Sequence, residues 1–147
     1  MLPAEFTSLQ TFNQNAVNSP PISQLVIDNF PELIYWKNND LVFQGCNLAF
    51  AKAVGLTLPQ QIVGNTDDEL PLKNQMLGFL GNRDTQVIQN STNFEQITVS
   101  TLASKEEVWL DIRKNPLINS LGEIVGMFCR IEDISTRKLE ESQLIES

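Results

Sequence analysis

The sequence predicts an α+β fold: one antiparallel sheet of about five strands with helices gathered on one face, flanked by an N-terminal helix and an outgoing C-terminal helix. Three observations on this chain of 147 residues lead there. Two β-rich stretches flank a short polar turn near the start, helical spacing and capping signals fill the middle, and three more β-rich stretches separated by short turns come last. Strands joined by short turns pair antiparallel, and helices inserted between the two groups of strands collect on one side.

In chain order, "PAEFTSLQTFNQ" sets Phe6, Leu9 and Phe12 on one side of a short helix, which Pro20 and Pro21 interrupt. "ISQLVIDNF" forms the next helix, with Ile22, Leu25, Val26 and Asn29 at helical spacing, and it closes before Pro31. "ELIYWKNNDLVFQGCN" is a hairpin turning at "NND". "NLAFAKAVGL" is a helix with Leu48, Phe50, Ala51 and Val54 on one face and Gly55 at its C-terminus. "TDDE" matches a capping box, in which Thr66 accepts from the Glu69 amide and Glu69 reaches back. A longer helix is expected over roughly Lys73 to Gln89. The closing strands are "NFEQITVSTLA", "EVWLDIRKNPLI" and "EIVGMFCRIEDI".

Composition narrows the function classes. A net charge of -8, with ten Lys and Arg in all and none before Lys37, argues against nucleic acid and against an anionic membrane surface. The absence of histidine removes imidazole-based nucleophilic catalysis, His-ligated haem, histidine metal clusters and a phospho-accepting histidine from these residues. Cys46 and Cys129 lie far apart in sequence, which makes neither a disulfide framework nor a zinc site and reads as two core thiols. The chain has no apolar run long enough to span a bilayer and no secretory signal order, so a soluble cytoplasmic domain is expected. Asp67, Asp68 and Glu69 could serve as acid and base, but helix capping and helix-dipole charge account for them.

Three segments in order, "PELIYWKNNDLVFQGCNLAFAKAVGL", "IVGNTDDELP" and "NPLINSLGEIVGMFCRIEDISTRK", resemble the PAS domains of bacterial sensor kinases and cyclic-dinucleotide signalling proteins. The resemblance implies a flanking segment over 1–21, a PAS domain over 22–134, and over 135–147 the start of a helix leading to an effector. It also implies that Asp133 couples the last strand to that helix, with Ser135 as N-cap and Arg137 or Lys138 as a partner. The flavin-adduct motif of the light-sensing subgroup is absent and no haem histidine exists, so no cofactor is expected.

In the family register, Tyr35, Lys37, Gln96, Thr98, Ser100, Leu110, Ile112 and Phe128 face the helices, and together with Phe50, Leu77 and Leu80 they would line a cavity suited to a small polar ligand. Alternation alone equally allows Ile97 and Val99 to face the core instead. The same register gathers Ile34, Trp36, Ile97, Val99, Trp109, Val125, Met127, Cys129 and Ile131 on the opposite face, a patch to be covered by "ISQLVIDNF" or by a second copy of the chain. The expected function is a non-enzymatic sensory or regulatory domain. It would bind a small molecule or partner and signal through Asp133-Ile134-Ser135 to an effector such as a histidine kinase. The alternative is a dimerisation module with a filled core. Titrating metabolites while following the melting temperature separates the two.

Overall fold

The computed structural model describes residues 20–71, 81, 83–101 and 106–146. Helix α1 (Ile22–Asp28) leads into β1 (Leu33–Asn38) and β2 (Phe43–Cys46), followed by α2 (Leu48–Ala53), two 3-10 turns (Pro59–Ile62 and Asp67–Glu69) and α3 (Asp84–Asn90). Strands β3 (Phe94–Thr101), β4 (Glu107–Ile118) and β5 (Ile124–Asp133) come next, and α4 (Ser135–Glu146) ends the described chain. The strands form one sheet in the order β2-β1-β5-β4-β3, and every neighbouring pair is antiparallel. The last strand therefore sits in the middle, between β1 and β4.

Local chemistry sets the turns. The Asn38 side chain accepts from the amides of Asp40 and Val42, closing the first hairpin. Asn119 does the same for Leu121 and Glu123 in the β4–β5 turn, where Gly122 takes the left-handed conformation that glycine tolerates best. Pro116 is accommodated inside β4 because β3 pairs no further along it than Lys114, which leaves one edge of that stretch without a neighbouring strand. Asn47 is fully buried at the start of α2. Its oxygen accepts from Ile34 N and Phe50 N, and its amide donates to the carbonyls of Ile27 and Glu32, so one side chain ties α1, β1 and α2 together.

Three expectations are corrected. Arg83 adopts a left-handed φ of 77° directly before α3, so no continuous helix runs from Lys73 to Gln89; α3 begins afresh at Asp84. At "TDDE" the capping box forms, but it closes a single 3-10 turn where the start of a helix was expected; the Glu69 carboxylate accepts from both the amide and the hydroxyl of Thr66.

The third correction concerns β5. Tyr35 pairs with Cys129 and Lys37 with Met127, and residues directly opposite share a face. Met127, Cys129 and Ile131 therefore lie in the core with Tyr35, while Val125, at the register shift of the β4–β5 ladder, is exposed. Phe128 pairs with Trp36 on the opposite face. The reason is parity: Arg130 and Glu132 need solvent, and Phe128 shares their face.

Elsewhere the register places Gln96, Thr98 and position 100 opposite Ile112, Leu110 and Val108, on the helix-covered side, while Ile97 and Val99 share the outer face with Asp111 and Trp109. The core gathers Tyr35, Phe43 and Phe50, with ring centroids 5.0 to 6.0 Å apart, against Ile62, Val87, Leu110 and Ile112.

Candidate functional site

The helix-covered face carries charge at its centre. One row runs across four strands through Lys114, Cys129, Tyr35 and Cys46, and Lys37 lies one inward position further along β1. Two inward lysines on a packed face require anions, because an ammonium buried alone costs several kcal/mol. Asp84, the first residue of α3, supplies one: its carboxylate is fully buried and accepts from Lys37 Nζ at 2.7 Å, from Lys114 Nζ at 2.6 Å and from the Tyr35 hydroxyl at 3.1 and 3.2 Å. Asp67 supplies a second from the 3-10 turn, with Oδ1 2.8 Å from Lys37 Nζ and the side chain still 39% exposed.

Aromatic faces complete the surroundings of Lys37. Its Nζ lies 4.7 Å from the centroid of Phe43 and 5.3 Å from that of Tyr35. Burial, then the neighbouring Cys129 and Asp84, push the Tyr35 phenol well above its ordinary range, so it stays a donor. Burial likewise pushes both thiols, Cys46 and Cys129, up to about 12. The cluster can orient a polar or anionic group through two ammoniums and a hydroxyl. Its thiols are protonated near neutrality and no imidazole is present, so it offers no activated nucleophile.

Of the residues expected to line a cavity, Tyr35, Lys37, Phe50, Leu110 and Ile112 are buried on this side, Thr98 is half-buried there, and Gln96 is exposed at its rim. Ser100 has its place in β3. Leu77 and Leu80 lie outside the described residues, and Phe128 faces away. Asp84 and Lys114 were missed. Lys114 was legible, since it shares the parity of Leu110 and Ile112 along β4. Asp84 carried no local signal, because its partners lie 47 and 30 residues away in sequence.

At the exit, Asp133 Oδ1 accepts from the Ser135 amide at 2.9 Å. Ser135 is the first helical residue and not the N-cap; its hydroxyl accepts from Trp109 N at 3.0 Å, and the Ile134 amide donates to the Trp109 carbonyl at 2.8 Å. Lys138 Nζ stands 5.7 Å from the Trp109 ring centroid and 3.3 Å from Glu141, with no contact to Asp133 among the described residues, and Arg137 is exposed. The outgoing helix is thus held by β4 as well as by β5.

On the outer face the indole of Trp36 lies against Gly45, where a Cβ would collide with its ring. A groove of about 510 Å³ runs between α1 and the sheet, lined by Ile27, Ile34, Trp36, Leu117 and Phe128. The helix "ISQLVIDNF" flanks one part of this face across the groove, with none of its own residues fully buried, while Ile97 and Val99 at the other end remain 45% and 46% exposed. No helix among the described residues is long and apolar enough to cross a membrane.

A family model described as the PAS fold matches residues 27–139. Comparison with curated proteins returns no match. Among solved structures, the chain is similar to VqmA of Vibrio cholerae in a complex with ligand and DNA, with 21% identity, TM-score 0.63, and 80% of this chain and 53% of that one covered. It is similar to the PAS domain of BvgS from Bordetella pertussis, with 18% identity, TM-score 0.58, and 94% and 98% covered. It is also similar to the PAS domain of the histidine kinase ThkA, with 18% identity, TM-score 0.55, and 69% and 99% covered.

These likenesses are of fold, and the chain spans little more than half of the VqmA chains. They correct one expectation drawn from charge. VqmA shares this fold and was solved bound to DNA, so the -8 charge of these residues does not exclude nucleic acid as a partner. The charge of one domain does not bound what the remainder of a longer chain can touch. With its five-stranded antiparallel sheet, its helices and the family match across most of its length, this chain belongs to the PAS family.

Proposed function

We propose that the chain is a sensory module. It binds a small polar molecule between sheet and helices, and transmits occupancy through Asp133-Ile134-Ser135 to an effector beyond α4. In this reading 1–21 is a flanking segment, 22–134 the sensing domain and 135–147 the beginning of the connection, all of it in the cytoplasm. The carrying observation is the buried cluster of Lys37, Asp84, Lys114 and Tyr35. Ionic groups so placed add little net stability compared with apolar residues of the same volume, and they are what a ligand site uses to orient a polar molecule.

The neighbours point to two classes of output, a histidine kinase as in ThkA and a DNA-contacting module as in VqmA. The domain itself is non-catalytic, and any enzymatic activity resides in the effector. Metabolites that bind only the folded domain must raise its melting temperature, and Lys37→Met should abolish that rise. A ligand that stabilises native and Lys37→Met protein equally binds elsewhere. For the relay, Asp133→Ala in the longer chain should leave ligand binding intact and uncouple output; unchanged regulation would remove the exit from the mechanism.

A second reading, dimerisation through the outer face, is favoured by the exposure of Ile97 and Val99 beside the half-buried Trp109.

A further inference from the structure

The two carboxylates on Lys37 are held differently. Asp84 makes a directed hydrogen bond from a fully buried position. Asp67 Oδ1 is equally close to the ammonium but makes no directed hydrogen bond, although that oxygen is itself buried. An ion pair without a directed hydrogen bond holds less firmly than one with it, so Asp67 is the weaker holder of the shared ammonium. It also links the buried ammonium to solvent, since its side chain is 39% exposed while that of Lys37 is fully buried.

The turn that carries Asp67 does not depend on this ion pair. Thr66 and Glu69 close it through two hydrogen bonds of 2.9 Å, and Gly81 accommodates the Asp67 carboxylate where a Cβ would collide with it. The carboxylate can therefore leave Lys37 without unfolding its own turn.

We propose that Asp67 is a tethered competitor for an acidic ligand. A small monoanion, a carboxylate or a group of the same charge and size, takes the place of Asp67 Oδ1 on Lys37 Nζ, and displacement of the Asp67 turn from Gly81 is the first structural consequence of binding. This rests on the reading that the helix-covered face is a ligand site, and it names the ligand's charge. A site closed by its own side chain binds with an affinity reduced by the fraction of time it stands open. Removing Asp67 therefore raises affinity for anions and leaves affinity for neutral analogues unchanged.

The test uses acetate, with acetamide as the neutral isostere, at constant ionic strength. Asp67→Ala should bind acetate about tenfold more tightly than native protein, read as the acetate concentration that half-saturates the rise in melting temperature. The buried Lys37 ammonium resonance should move in the same titration, and acetamide should do neither. Near-ultraviolet circular dichroism of Asp67→Ala and of the isosteric Asp67→Asn confirms folding; Asp67→Asn should also gain acetate affinity, because it removes the competing charge and keeps the shape. Equal acetate affinity in native protein and both variants, or an equal response to acetamide, overturns the proposal. A neutral metabolite that stabilises native and Asp67→Ala protein alike would also overturn it, while leaving the sensory reading intact. Tight acetate binding by Asp67→Ala, with no metabolite ever stabilising the native domain, would uphold the competitor and sink the sensory reading.

Discussion

Beneath the helices, Lys37, Lys114 and Asp84 are almost wholly withdrawn from water; on the opposite face of the same sheet, Ile97 and Val99 remain nearly half exposed. Burial and polarity are thus exchanged relative to what each face would choose for stability alone. The charged cluster is tolerable because each described carboxylate and ammonium in it meets an opposite charge within 2.8 Å. The apolar strip is tolerable because water contacts only part of each side chain. The contrast separates the two faces of one sheet: the inner face buries charge at some expense of stability, and the outer face leaves apolar side chains partly in water.

The largest test of this contrast is Asp84→Ala. It would remove the buried carboxylate that two ammoniums and a phenol share, with Asp67 still on Lys37, and should destabilise the domain by about 3–5 kcal/mol in urea unfolding. Replacing Lys37, Asp84 and Lys114 together with Met, Leu and Met should restore most of that loss while ligand response disappears. If the triple variant is as unstable as Asp84→Ala, the cluster is structural.

An intermediate effect comes from pH. The thiol of Cys129 ionises near 9 in the unfolded chain and near 12 in the fold, so the unfolded state releases its proton first. The stability it contributes is complete below pH 9 and is lost as pH rises towards 12, at about 1.4 kcal/mol per pH unit while the two states differ by a proton. Cys46 is raised in the same way and contributes likewise, so unfolding measured at pH 8, 9 and 10 should show this loss and Cys129→Ala should make it shallower without removing it. A profile unchanged by Cys129→Ala would place the alkaline loss elsewhere in the cluster.

The smallest effect is expected outside. Ile97→Thr with Val99→Thr should change the stability of the monomer by no more than about 0.5 kcal/mol per site, as exposed positions do. If the second reading holds, sedimentation of this double variant will show a weakened dimer; an unchanged assembly would clear the strip of that role.

Much of this arrangement was legible in the chain. The succession of elements along the chain, the "NND" and "NSLGE" turns and the Asp133 contact with Ser135 follow from short-range chemistry that a few neighbouring residues decide, whereas the pairing of β1 with β5 does not. Phe128 was misplaced because the register taken from the family resemblance carried the wrong parity for this strand, whereas the parity of Arg130 and Glu132 governs it. The helix through Arg83 was overextended because apolar spacing does not reveal one left-handed residue. The centre of the site depends on Asp84 meeting two lysines from distant strands. That pairing is invisible to periodicity and recoverable only by asking which anion an inward Lys114 must find.

Trp109 gives the molecule an optical handle. The chain has two tryptophans, Trp36 and Trp109, and both indoles belong to the outer side of the sheet. Trp109 joins the exit through its backbone, with the Lys138 cation near its ring. Its emission therefore senses the root of the outgoing helix, and Trp36, lying against Gly45, serves as the distant reference. In a Trp36→Phe background, intrinsic fluorescence would report the surroundings of Trp109 at the root of α4 alone, without an added dye, so the proposed relay can be tested by titrating a ligand and watching that one signal.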